Sequence, residues 1–190
     1  MSARRHLVLQ DTAIPGVLVV QRTPLRDDRG SFERMFCTDE LAHAGFAGGA
    51  VQVNRSRTRS AGTVRGLHFQ AAPGREAKLV SCLSGAVHDV AVDLRAGSPS
   101  FGRSHAVRLD ASGDRALLLP PGVAHGFQAL ADETELLYVH ASAYDAALDT
   151  GVSPLDPTLG IEWPLPVQGL SPRDAAWPPL ASMQPWRLDA

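Results

Sequence analysis

Apolar and polar residues alternate along most of this chain in runs about as long as a β-strand. Residues 51–56, 63–70, 77–83, 86–95, 104–109, 116–119, 126–130 and 134–143 carry β-branched and aliphatic side chains in this pattern, which is the mark of strands with a buried face. Turn chemistry separates them: Pro73-Gly74, Ser84-Gly85, Gly97-Ser98-Pro99, Ser112-Gly113-Asp114, Pro120-Pro121-Gly122 and Asp132-Glu133. Upstream, residues 16–22 read as a strand, Asp27-Asp28-Arg29-Gly30 as a turn, and 31–37 as a further strand. Residues 38–47 form the one clear helix before this region, with Thr38 as N-cap, Glu40 in the first turn and Gly45 near the stop. Short strands joined by tight turns predict an all-β sandwich or barrel rather than βαβ units, and a jelly roll is the natural candidate.

The pattern changes at Asp145. Pro154, Pro157, Pro164, Pro166, Pro172, Pro178, Pro179 and Pro185 follow, a density that argues against regular sheet and for an extended arm with short helical turns. One such turn is expected around Asp174–Trp177, because Ser171-Pro172 is a good N-cap and first-position pair. The reading is one domain over 1–190, with a core of about 16–144 and a C-terminal arm over 145–190.

Composition narrows the partners. The chain is 44% hydrophobic and 20% charged with a formal net charge of -2, which gives no general reason to expect nucleic acid or an anionic membrane. No stretch approaches a membrane span, and the apolar run after Arg4, Arg5 and His6 is broken by Gln10, Asp11 and Thr12, too early for a signal peptide. Cys37 and Cys82 have neither metal-ligand nor redox spacing. A cytoplasmic protein is expected.

Candidate chemistry starts at Gly62-Thr-Val-Arg-Gly-Leu-His-Phe-Gln70. Strand side chains alternate faces, so Arg65 and His68 share a wall only if a bend or bulge at Gly66 resets the alternation. His68 alone reads more readily as a structural histidine than as a catalyst. The run Pro120-Pro121-Gly122-Val123-Ala124-His125 resembles the second half of the cupin signature. In metal-binding cupins the first half supplies a His-x-His pair and a glutamate; here the corresponding place holds His68-Phe69-Gln70. Catalytic metal sites use about three protein ligands, and His68 with His125 falls short, so a metal-free cupin-type jelly roll is expected.

Further pieces extend the resemblance. Asp28-Arg29-Gly30, Gln52-x-Asn54-x-Ser56, Arg65–Gln70, Lys78-Leu79-Val80, Asp89–Asp93, Ser98–Gly102, Pro121–Phe127, Leu137-Tyr138, Asp156-Pro157, Gly160-Ile161-x-Trp163-Pro164 and Leu170-Ser171-x-x-Asp174 occur in order. Together they resemble the dTDP-4-dehydrorhamnose 3,5-epimerases and related epimerases of nucleotide-linked 4-keto-6-deoxysugars. The resemblance implies that His68 is a general base held by Asp174, that Lys78 stabilises an enolate, and that Tyr138 is the acid opposite the base. It also implies that Arg29 and Arg65 meet the diphosphate, Gln52 and Asn54 make neutral polar contacts, His125 donates to the sugar, and Tyr144 packs on the nucleotide base or the sugar. A homodimer needing no cofactor or metal is part of the same implication.

On residue type alone other readings stand beside these. Lys78 is also a typical edge-strand guard, Asp174 a surface residue behind an N-cap, Tyr138 a barrel-lining aromatic, and Asp89 an inward carboxylate or the polar half of an alternation. His6, His43, His88, His105 and His140 match no catalytic piece and read as surface or structural. The chain also departs from the family pattern. Arg34 stands where an acidic residue is expected, the segment 55–62 is one residue longer and carries Arg55, Arg57 and Arg59, and Asp149-Thr150-Gly151 replaces Glu-x-Gly. These departures leave a single-centre epimerase of an antibiotic-type pathway as the alternative, with a non-catalytic sugar-nucleotide module and a metal-dependent dioxygenase as readings from other classes.

Overall fold

The computed structural model describes residues 5–187. In chain order the strands are β1 (Leu7–Asp11), β2 (Leu18–Arg22), β3 (Leu25–Asp27), β4 (Gly30–Phe32), β5 (Gln52–Thr58), β6 (Val64–Gln70), β7 (Lys78–Ser84), β8 (Ala86–Asp93), β9 (Ser104–Asp110), β10 (Arg115–Leu119), β11 (Val123–Ala129), β12 (Thr134–His140) and β13 (Asp149–Gly151). Helix α1 (Thr38–Leu41) lies between β4 and β5, and α2 (Pro172–Ala175) follows β13. Two antiparallel sheets face each other, one of six strands in the order β1-β2-β10-β7-β12-β5 and one of five in the order β13-β6-β11-β8-β9. Strands β3 and β4 pair only with each other, as a hairpin. This is the jelly-roll sandwich that the spacing predicts.

Alternation along each strand sorts the side chains into three apolar layers. Between the sheets lie Val80 and Cys82 of β7, Leu117 and Leu119 of β10, Val87 and Ala91 of β8, Phe127 of β11 and Leu136 of β12. On the outer side of the six-stranded sheet, Leu79, Leu118 and Val139 meet Leu41 and Phe46 from the α1 region. On the outer side of the five-stranded sheet, Leu67, Phe69, Val90 and Ala124 are covered by Val152, Leu159 and Trp186 of the C-terminal segment. These strands are apolar on both faces and bury both, and the proline-rich arm is packing material for one of them.

Several elements differ from expectation. The strand expected over 31–37 ends at Phe32, and the helix expected over 38–47 is a four-residue α1 followed by a 3-10 turn at Ala42–Ala44. The N-cap is Cys37, with no side-chain cap hydrogen bond, whereas Gly45 ends the unit with φ of 100°. Glu40 explains the shortfall: its carboxylate accepts from the His6 and Leu7 amides at 2.8 Å each, so the helix is held by the entry to β1 rather than by its own capping. The arm also contributes regular sheet, since β13 pairs with β6 ahead of the first proline. Ser171 behaves as expected and accepts from the Asp174 amide at 3.0 Å.

Asp93 ends β8 as a buried hub. It accepts from Arg95 Nε and Nη2, both at 2.8 Å, from Ser98 Oγ at 2.5 Å and from Ser100 Oγ at 2.6 Å. Burial raises its proton affinity, but these donors outweigh it and hold the carboxyl at about 2. Because the folded value is depressed, the stabilisation is complete above the ordinary 3.8 and is lost as pH falls towards about 2. Asp93→Asn is therefore expected to lower stability at neutral pH and to flatten its decline in that acid window, as read from urea midpoints against pH.

Candidate active site

At one end of the sandwich the inward positions turn from apolar to polar. Lys78 shares its face of β7 with Val80 and Cys82, Tyr138 and His140 share theirs on β12 with Leu136, and His125 and Asp89 share theirs with Phe127 and Ala91. These polar inward positions open onto a cavity of about 590 Å³ lined from both sheets, by Asn54, Lys78, Tyr138 and His140 on one side and Arg65, His68 and His125 on the other. Asp174, Arg173 and Ser171 close it from the α2 side, and Tyr144 and Asp149 from the β13 side.

The bulge anticipated at Gly66 is present. On β11, His125 pairs with His68 and Phe127 with Arg65, so β6 carries one extra residue between these pairs. Leu67 and Phe69 go outward, His68 goes inward, and the bulge turns Arg65 to line the same cavity. Only glycine fits here: Gly66 has φ of 123°, and a Cβ on it would sit 2.6 Å from Gly126 Cα on the neighbouring strand.

His68 Nε2 donates to Asp174 Oδ1 at 2.6 Å, which makes Nδ1 the basic nitrogen of the neutral ring. Asp174 is buried, and its second oxygen accepts from the Gly66 amide at 3.2 Å. Burial works against ionisation of Asp174, yet the His68 contact and the Gly66 and Ser171 hydrogen bonds hold its carboxyl below the usual value. The edge of Trp177 packs on the His68 ring with centroids 6.1 Å apart. Such a dyad takes up and returns a proton.

Across the cavity, burial pushes the Tyr138 phenol well above its ordinary value, with the Asp89 charge adding to it against Ser56 and Arg65. The phenol is therefore an acid throughout the physiological range. Its ring meets His125 edge-on at 5.9 Å. His125 Nε2 donates to Asp89 Oδ1 at 2.8 Å, both residues being buried. Lys78 lies in the middle of its sheet, between β10 and β12, so the edge-guard reading fails; its ammonium is 2.9 Å from Glu76 Oε2. Taken together, a proton acceptor from one sheet and a proton donor from the other line the same cavity, and Lys78 lines it as well.

Other expected residues fall differently. Gln52 stands at the rim, donating to Asn54 Oδ1 at 3.2 Å and accepting from the Tyr144 amide at 3.0 Å. Tyr144 lies beyond the end of β12, so it reaches the cavity through the following loop; its hydroxyl donates to Asp149 at 2.8 Å. Arg29 does not reach the cavity of its own chain. It sits at the tip of the β3–β4 hairpin, 90% exposed and paired with Asp27, because that hairpin joins neither sheet. Arg34 pairs with Glu40, Arg55 with Glu135 across the β5–β12 ladder and Arg57 with Glu133 just ahead of β12, and four of the eight residues of the segment 55–62 are strand. Sequence reasoning missed Glu76, and it set His140 aside as surface or structural although both line the cavity. An inward parity shared with Tyr138 was the available signal for His140.

Comparison with known proteins decides the family. The model of the dTDP-4-dehydrorhamnose 3,5-epimerases matches residues 11–182. The chain belongs to this family. It is 40% identical over 178 residues to a dTDP-4-dehydrorhamnose 3,5-epimerase of Streptomyces griseus, covering 93% of this chain and 88% of that one. A dTDP-4-dehydrorhamnose 3-epimerase of Streptomyces niveus is 43% identical, covering 87% and 80%. The crystal structure of NovW, a 4-keto-6-deoxy sugar epimerase from the novobiocin biosynthetic gene cluster of Streptomyces spheroides, superposes with a TM-score of 0.86 at 41% identity, covering 95% and 91%. Among the described residues of this family member, no three His, Cys, Asp or Glu side chains are grouped to hold a metal ion.

Proposed function

We propose that this protein epimerises a dTDP-linked 4-keto-6-deoxyhexose at C3, C5 or both. The observation that carries the reading is the carboxylate-held His68 facing the protonated Tyr138 from the opposing sheet, with Lys78 in the same cavity. A ketone acidifies the carbons beside it. His68 Nδ1 takes the proton from one of them, the electron pair moves into an enolate whose oxygen is met by Lys78, and Tyr138 returns a proton to the other face of the carbon. Asp174 orients His68 and stabilises its imidazolium. Exchange with solvent resets both groups, so no redox cofactor or metal enters the cycle.

In this reading Arg65 and His125 anchor the diphosphate and the sugar, Asn54 and Gln52 make polar contacts, and Tyr144 packs on the nucleotide. Arg29 meets the diphosphate only if a second copy carries its exposed hairpin to the neighbouring cavity, which makes a homodimer part of the proposal. The enzyme is read as cytoplasmic.

Incubation of the protein with dTDP-4-keto-6-deoxyglucose in D₂O is expected to place deuterium next to the ketone, followed by NMR, together with an inverted product. A folded protein that exchanges neither position removes the reading. A 3-epimerase stands at 43% identity beside a 3,5-epimerase at 40%, so inversion of C3 alone is the second reading. Exchange at C3 without C5 would select it.

A further inference from the structure

His68 is fastened to Asp174 at one atom, and that atom is poorly placed to stop the ring from turning. In an imidazole, Nε2 lies close to the line of the Cβ–Cγ bond, so rotation about that bond carries Nδ1 through an arc while Nε2 moves little. This terminal torsion also has broad wells. The two carbons that a ketone acidifies lie on either side of it, and a base that swings reaches both.

Trp177 restrains the swing. It stands three residues after Asp174, so the turn of α2 brings the carboxylate and the indole to the same histidine. The indole and imidazole meet edge-to-face, with 71° between their planes. Backbone contacts fix the segment on both sides: Ser171 caps α2, and the Pro178 carbonyl accepts from the Ser153 amide at 2.9 Å. Gly151 of β13 pairs with His68, and a Cβ on it would sit 2.6 Å from Trp177 Cε2 and Nε1. The indole thus occupies the space that a side chain there would need. Arg173, paired with Asp149, lies with its guanidinium 5.2 Å from the indole centroid.

Two observations separate this arrangement from ordinary packing. Among the described residues, Trp163 and Trp186 belong to the apolar layer under the C-terminal segment, whereas Trp177 belongs to none of the three layers. Its Nε1 is buried with no acceptor among the described groups, although buried indole N–H groups usually find one. Shape against His68, Gly151 and Arg173 is what places it. We infer that Trp177 confines the swing of His68, so that Nδ1 serves one carbon beside the ketone in preference to the other; this rests on the epimerase reading above and names what sets the choice between C3 and C5. Trp177 is a positioning residue, since it acts through His68 and is not part of the cavity lining.

Deuterium incorporation at C3 and at C5, followed by NMR in one incubation, reads the bias directly. The wild type is expected to exchange the two carbons at unequal rates. Trp177→Ala is expected to slow the favoured carbon by about 10-fold and to bring the ratio of the two rates closer to one by about 3-fold or more. Where the wild type exchanges one carbon only, exchange appears at the other. Trp177→Phe keeps a ring edge and is expected to recover most of the bias. Trp177→Leu fills space without a flat ring and is expected to recover the melting temperature but not the bias. A purely structural role would slow both carbons alike. Equal rates in the wild type, an unchanged ratio in folded Trp177→Ala, or a ratio restored as fully by Leu as by Phe overturns the inference alone; if the Ala variant does not fold, the Leu and Phe variants decide. A wild type that exchanges neither carbon removes the epimerase reading and this inference with it.

Discussion

His68→Asn is expected to reduce turnover on the order of 10³-fold while dTDP binding changes little. The asparagine amide is too weak a base to take a carbon-bound proton, yet it is small and polar enough to sit in the same inward position on β6. Asp174→Asn provides the companion result. Its amide still accepts at one end, so the Gly66 contact and the Ser171 cap survive, but the negative charge that supports a His68 imidazolium is gone. Turnover is expected to fall by about 10²- to 10³-fold with the fold intact. Isothermal titration with dTDP, a thermal melt and single-turnover kinetics separate these effects. Near-normal turnover in folded His68→Asn would remove the assigned base.

The loss in the double variant bears on whether the two act as one unit. Asp174 touches His68 and the β6 backbone but has no other assigned role. Removing it from a protein that already lacks His68 is therefore expected to cost almost nothing further, whereas independent roles would multiply the losses.

The sandwich was legible because its strands are short, β-branched and punctuated by glycine, proline and aspartate, so local pattern and tertiary arrangement agree. β13 was not, because three residues inside a proline-rich segment have no periodicity, and their pairing with β6 is a tertiary fact. The same division holds at the site. The Gly66 bulge was readable from Arg65 and His68 standing three apart, but the His68–Asp174 contact joins residues 106 apart and no local spacing encodes it; the family resemblance supplied that pair. Glu76 and His140 were hidden for a related reason. Each looks like an ordinary polar position, and only the β12–β7 register brings His140 opposite Lys78. Arg29 stands outside the cavity because its hairpin joins neither sheet, which its motif does not encode.

Tyr138→Phe is expected to uncouple exchange from inversion. The phenol comes from β12 of the six-stranded sheet and His68 from β6 of the five-stranded one, so in the proposed mechanism their protons reach the sugar from opposite sides. Burial keeps the phenol protonated, which makes it a donor and not a second base. Without its hydroxyl, His68 still removes a proton, Lys78 still supports the enolate, and the imidazolium still returns a proton to the face it came from. Deuterium then enters with retention, while the inverted product falls on the order of 10²- to 10³-fold. Exchange measured by NMR beside product stereochemistry gives both rates from one incubation. Inversion at the wild-type rate would assign the second proton to another group, and His125, in edge contact with the same ring, would be the first to test. Equal loss of exchange and inversion would instead mean that Tyr138 is needed for enolate formation itself, through its hydroxyl's contact with the carbonyl rather than through proton return.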